Sequence, residues 1–231
     1  MGKRKYDDFN VHADDYRKVH SENISITGAD SFYFARQKAQ RIAGIEKTQQ
    51  LQMLDWGCGD GVLSSYLEKL FPTATIYGAD VSVQSIAKAK SLPTTVNFIH
   101  LQDDHLSFDD NHFDVVVVAA VLHHIDFSHH EKWLQEIYRV MKPGGRVYVF
   151  EHNPFNPATR YIVQTCIFDQ DARLLKPSYA RQLFMRSGFK KVQIQHTLFF
   201  PRLFLKEMFD FLEKGLWWLP LGGQYMLTAK K

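Results

Sequence analysis

Cysteine is scarce in this chain, with only Cys58 and Cys166 among 231 residues. Two are too few for a disulfide framework, and neither belongs to a close pair of metal-ligand spacing. No apolar stretch reaches the roughly 18 uninterrupted residues that a membrane-crossing helix needs, and no signal-like apolar run opens the chain. The start, MGKRKY, is basic, but Tyr6 stands where a myristoylation signal requires Ser or Thr. Charge of one sign is also missing. The 28 basic and 25 acidic residues leave a formal charge of +3, which makes no electrostatic case for a nucleic-acid partner. Repeats and low-complexity linkers are absent, and no Ser-His-Asp or Cys-His set stands out as a covalent nucleophile. These absences lead to the expectation of one soluble, cytoplasmic domain. Its 45% hydrophobic content is enough to bury a core without covalent staples.

What is present is alternation. LQMLDW is a short apolar run ending at glycine, and VLSSYLEKLF follows with helical spacing of Val62, Leu63, Tyr66, Leu67 and Leu70. Then come ATIYGAD, the helix-like SVQSIAKAK, and VNFIHL. FDVVVVAAVL is the most strand-like run, its four valines suiting a strand buried on both faces. HHEKWLQEIYRVM reads as an amphipathic helix stopped by Pro143-Gly144-Gly145, with RVYVFE as the next strand. Strands alternating with helices predict a parallel sheet covered on both sides, with ligands at the carboxyl ends of its strands.

The stretch LDWGCGDG, residues 54–61, lies at such an end. Gly57 and Gly59 permit torsions and approaches that a β-carbon blocks, and Gly61 lets a helix or ligand lie close. The free amides of the following helix favour the polar end of a ligand. The dinucleotide fingerprint is G-x-G-x-x-G, but the spacing here is G-x-G-x-G, with Val62 in the place of the last glycine. Asp55 in front of the glycines would repel a pyrophosphate and suits a cationic ligand.

With its acid followed by G-x-G-x-G, the segment resembles the first motif of the class I S-adenosylmethionine-dependent methyltransferases. The match continues through IYGAD, FDVVVVAAVLHHI and EIYRVMKPGGRVYVFE, over roughly residues 30 to 151. The resemblance implies a Rossmann-like seven-stranded, mostly parallel α/β sheet with helices on both faces and the last strand antiparallel. It implies S-adenosylmethionine as cofactor, held by Asp55, Gly57, Cys58, Gly59 and Gly61, by Asp80 and Val81 at the second strand's end, and by Ala119 at the fourth's. Asp80 takes the ribose hydroxyls in this reading, and it also suits a helix cap before SVQS. At the position where the family places an acid for the adenine amine, this chain has Gln102, with Asp103 next to it, and both are carried as candidates. The texture is closest to the small-molecule branch that includes quinone methyltransferases. EHNPFNP, however, departs from the DFS-like segment of the quinone enzymes, so the resemblance does not carry a quinone acceptor over.

Methyl transfer from a sulfonium is an in-line displacement that needs alignment, exclusion of water and, for some acceptors, a base. His124, a few residues past the fourth strand, is the first candidate base, and it also suits a loop-holding role. Glu151 and His152, at the fifth strand's end, follow. His123, His124, His129 and His130 cluster in sequence but lack an acidic or thiolate partner at ligand spacing, so no metal is expected. Asn153 and Asn156 shape a substrate-facing loop.

Aromatic residues make up 14% of the chain and gather near its ends. The resemblance assigns residues 1–46 to a helical lid, 47–151 to the cofactor-binding core, and 152–231 to substrate-side loops, an amphipathic helix at PRLFLKEMFDFLEKGL and the closing strands. Phe199, Phe200, Phe204, Phe209, Trp217 and Trp218 suit ordinary packing, a pocket for a hydrophobic acceptor, or peripheral contact with a membrane surface. The expected partner is a small, hydrophobic or lipid-like acceptor. The rival readings are a protein or RNA methyltransferase, a non-catalytic cofactor-binding relative, and a dinucleotide oxidoreductase, which the glycine spacing disfavours.

Overall fold

The computed structural model describes residues 31–102, 105–166, 169, 171–199 and 215–231. The first of its elements is α1 (Ser31–Ile45), followed by β1 (Gln52–Trp56), α2 (Val62–Leu70), β2 (Thr75–Asp80), α3 (Val83–Lys90) and β3 (Asn97–His100). After them come β4 (Phe113–Ala119), α4 (His130–Val140), β5 (Met141–His152), α5 (Pro157–Thr165), α6 (Pro177–Arg186), β6 (Lys190–Thr197) and β7 (Gln224–Lys230). Two 3-10 turns, Leu122–His124 and Phe127–His129, join β4 to α4.

The strands form one sheet in the order β3-β2-β1-β4-β5-β7-β6. β1 to β5 pair in parallel, and β7 runs antiparallel between β5 and β6. This is the seven-stranded architecture expected from the sequence. The alternation of β4 explains its central place. Val115 and Val117 face a core built with Ala39 and Ile42 of α1 and Leu63 and Leu67 of α2. Val116 and Val118 face the opposite core, with Leu134 and Ile137 of α4 and Leu183 and Phe184 of α6. All four valines are buried, which by area is worth about 2 kcal/mol each before entropy costs. A polar residue at any of them would have no face on which to meet water.

Pro143 and Gly144 were expected to end a helix ahead of a strand starting at Arg146. The helix does end at Val140, but strand geometry resumes at once, and the β4 pairing jumps register between Phe113 and Val115. The turn is absorbed inside the strand because Gly144 takes φ +83° and Gly145 approaches the Lys142 and Asp114 carbonyls too closely for a β-carbon. Beneath α4, Arg139 donates to the Leu106 and Phe108 carbonyls, each at 2.8 Å, and to Glu136 and Asp110. One guanidinium thereby fixes the loop between β3 and β4. The expected amphipathic helix at 201–214 and the first 30 residues lie outside the described residues, as do Asp103, Phe200, Phe204 and Phe209.

Candidate active site

The connections of β1 and β4, neighbours in the sheet, leave toward opposite sides, and a crevice opens where they part. The glycine turn fills the β1 side of it. Gly57, Gly59 and Gly61 all hold positive φ, +75°, +55° and +79°. Their surroundings differ. A β-carbon on Gly57 would meet Val121 Cγ2 at 2.3 Å, and one on Gly61 would meet the Phe98 ring at 2.5 Å. Those two glycines therefore serve packing of the protein on itself. A β-carbon on Gly59 would meet nothing within 4 Å among the described residues. Of the three, Gly59 alone faces open space. The Cys58 amide donates to the Ala79 carbonyl at 3.1 Å, its carbonyl accepts from Gly61, and its side chain packs with Ile86, Ala89 and Phe98. Burial pushes its thiol well above the usual range, so it is inert.

Asp80 ties the turn together. Its Oδ2 accepts from the Gly59 amide at 2.8 Å and its Oδ1 from the Ser82 amide at 2.8 Å. Burial raises its pKa. Ser82, not Asp80, caps α3, accepting from the Ser85 amide. The Val81 carbonyl meets His100 Nε2 at 3.1 Å. Gln102 is exposed at the rim.

Asp55 is fully buried. Its Oδ2 accepts from Ser64 Oγ at 2.6 Å, while Oδ1 has no hydrogen-bond partner among the described residues. Burial pushes its carboxyl up to about 7, against the Ser64 hydrogen bond. A half-satisfied buried carboxylate in a cleft is costly unless a donor arrives. Lys38 of α1, which sequence reasoning missed, answers from across the crevice. Burial lowers its ammonium to about 8, and the charges of Glu151 and Asp55 resist that shift. Lys38 also lines a small cleft with Phe34, Gln37, Phe150, Thr197 and Gln224 at the ends of β5 and β7.

On the β4 side, Ala119 ends the strand and Ala120 takes φ +58°, a left-handed conformation rare for alanine. That bend delivers His123 and His124. His123 is buried, with Nδ1 2.5 Å from Glu151 Oε2, while Glu151 Oε1 accepts from the Leu122 amide at 2.9 Å. Asp169, another residue the sequence did not single out, brings Oδ1 to 3.5 Å from His124 Nε2 and 3.7 Å from His123 Nε2. The expectation that the histidines lack an acidic partner is therefore corrected, since the partner comes from far along the chain. The His123 and His152 rings lie 5.2 Å apart.

Burial alone would lower the His123 pKa, but Glu151 and Asp169 overcome it and lift it to about 9. The pairing likewise holds Glu151 below the usual carboxylate range despite burial. Asp169 is also held low, by His123, His152 and His124. Burial and the charge of His123 push His152 down to about 4. His130 is drawn away, bonding the Leu122 carbonyl at 2.9 Å and Tyr179 at 3.1 Å, and His129 sits by Ser128 on the exposed side. Asn153 donates to the Pro220 and Gly222 carbonyls, and Asn156 caps α5, so both shape the loop as expected.

Residues 54–149 match the family described as methyltransferase domain. The match places a methyltransferase-like core at residues 54–149. Among curated proteins, the chain is 35% identical over 123 residues to a demethylmenaquinone methyltransferase of Thermus thermophilus, covering 52% of this chain and 54% of that one. It is 30% identical over 135 residues to the ubiquinone/menaquinone biosynthesis C-methyltransferase UbiE of Ectopseudomonas mendocina, covering 55% and 51%. The chain thus spans about half the length of these relatives. Among solved structures, a possible histamine N-methyltransferase of Thermotoga maritima superposes with TM-score 0.72 at 17% identity, covering 99% and 100% of the two chains. A SAM-dependent methyltransferase of Archaeoglobus fulgidus gives 0.67 at 19% identity, covering 87% and 95%. These structural likenesses speak for the fold. No helix among the described residues is long and apolar enough to cross a membrane.

Proposed function

We propose that the protein transfers the methyl group of S-adenosylmethionine to a small hydrophobic acceptor. The observation that carries this reading is the open face at Gly59, whose amide is held by a carboxylate on the neighbouring strand. A nucleoside ribose laid there would meet Asp80, whose oxygens keep lone pairs after accepting two backbone amides. The methionine end brings an ammonium, the donor that Asp55 Oδ1 lacks. In this reading Val81 and Ala119 lie along the ligand, and the exposed Gln102 is the described candidate for the adenine amine.

In the reaction the acceptor attacks the methyl carbon as the carbon–sulfur bond breaks, and the sulfur leaves as a neutral thioether. An acceptor hydroxyl, amine or acidic carbon surrenders its proton to a base. In this reading His124 and His152 are the candidate imidazoles for that task. Glu151 is committed to Leu122 and His123, which makes it a positioning residue and not the base. The names of the relatives support a quinone-like acceptor, and the aromatic segments on the substrate side suit one. The closing role expected of residues 1–46 falls in this reading to the segment before α1, because α1 itself is packed into the core through Ala39 and Ile42.

Calorimetric titration with S-adenosylmethionine, S-adenosylhomocysteine and NAD tests the cofactor. The first two are expected to bind and NAD to fail; binding of NAD alone overturns the reading. A screen of hydroxylated and quinol acceptors with radiolabelled cofactor then tests the substrate class.

A further inference from the structure

His123, His124 and Asp169 place their ligand atoms within 4.8 Å of one another. Two of the spacings, 3.5 and 3.7 Å from Asp169 Oδ1 to the two imidazoles, are too long for hydrogen bonds. They are close to what a bound ion imposes, because an ion about 2.1 Å from tetrahedral donors holds them about 3.4 Å apart. His123 supplies an independent observation. It is 1% exposed, and its Nε2, facing Asp169, has no hydrogen-bond partner among the described residues. Its other nitrogen lies 2.5 Å from Glu151 Oε2. A carboxylate that takes the Nδ1 proton leaves a lone pair on Nε2, the arrangement in which metal-bound histidines are held. Glu151 is itself fixed by the Leu122 amide.

We infer that His123, His124 and Asp169 form a site for a divalent transition-metal ion, of the zinc, cobalt or ferrous class. Two imidazoles and one carboxylate select such an ion over magnesium or calcium, which prefer all-oxygen shells. Three protein donors leave at least one position open toward the crevice, where an acceptor oxygen could bind. This goes beyond the methyl-transfer reading.

The test uses the full chain, stripped with chelator and titrated with cobalt(II) and zinc(II), with cobalt d–d absorption and calorimetry as readouts. One ion per chain is expected, with magnesium failing to compete at equal concentration. His124→Ala and Asp169→Asn should weaken binding at least tenfold, and both variants without metal should still unfold in one cooperative transition. Glu151→Gln should weaken it by roughly 10- to 100-fold. Asp80→Ala should bind metal normally while losing S-adenosylmethionine, so failure of this site and failure of the cofactor reading are told apart. Absence of cobalt absorption, or affinity unchanged in His124→Ala and Asp169→Asn, overturns the inference and leaves His123 as a buried imidazolium between two carboxylates.

Discussion

Gly59→Ala is the most incisive perturbation of the cofactor site, with Gly57→Ala as its counterpart. At Gly59 the added methyl group meets no atom of the described residues within 4 Å, so the cost to folding among them is only that of alanine at φ +55°. That is about 1 kcal/mol, or a drop of roughly 2–4 °C in melting temperature for a chain of this size. At Gly57 the methyl group lands 2.3 Å from a branch of Val121, a stiff side chain, at φ +75°. Strain and overpacking there total about 3 kcal/mol. The binding effect runs the other way. A ligand packed on the Gly59 α-carbon must retreat by about 1.5 Å, a carbon–carbon bond length, and so leaves the reach of Asp80. Gly59→Ala should therefore lower S-adenosylmethionine affinity at least tenfold while melting within a few degrees of the wild type. Paired calorimetric titration and thermal unfolding measure both quantities. Wild-type affinity in Gly59→Ala would mean the open face is mere solvent and the cofactor lies elsewhere.

Asp80→Ala frees the amides of Gly59 and Ser82, costing about 2–3 kcal/mol of stability and at least tenfold in cofactor affinity; unchanged affinity on titration removes Asp80 from the site. Asp55, with a folded pKa near 7 against a usual 3.8, binds its proton more tightly folded than unfolded. Its contribution is thus fully present below about pH 4 and is lost as pH rises through 7, at most about 4 kcal/mol. Lys38 and Asp80 are the charged groups acting on it, and Asp55→Asn should flatten the stability profile between pH 4 and 7 in urea titrations; a profile as steep as the wild type's assigns the slope to other groups. If the cofactor ammonium meets Asp55, binding near pH 6.5 should release a proton, seen as a calorimetric enthalpy that varies with the buffer's ionisation heat. Deleting residues 1–20 should lower turnover more than cofactor affinity, and equal rates would dismiss a closing role for that segment.

Much of the fold could be read from local pattern. Four valines in β4 and the spacing of Trp133, Leu134, Ile137 and Val140 in α4 each specify which faces are buried, and the turn glycines mark the ends. The site was legible in kind but not in detail. All three glycines look alike in sequence, yet only neighbours distant in the chain, Val121 and Phe98, reveal that two of them serve packing. Glu151 reads as a candidate base at a strand end until the Ala120 bend folds His123 onto it. Asp169 and Lys38 carry no periodic signal for their roles. Their places depend on how the chain after α5 returns to the strand ends and how α1 crosses them, which is decided by tertiary packing and not by spacing.

The position of β7 has a consequence for how the molecule is assembled. β6 precedes β7 in the chain but finds its hydrogen-bonding neighbour only there, and β7 in turn lies along β5 from Arg146 to His152. When β6 has just been synthesised its native neighbour is still missing, and its pairing waits until the later strand has slotted against β5. Such ordering makes the β5–β7 pairing, from Arg146 with Lys230 to His152 with Gln224, the most remote in sequence and the slowest to form, and β6 pairs only after it. In pulse-labelled hydrogen exchange during refolding, the β6 and β7 amides should gain protection together and after those of β1 and β4.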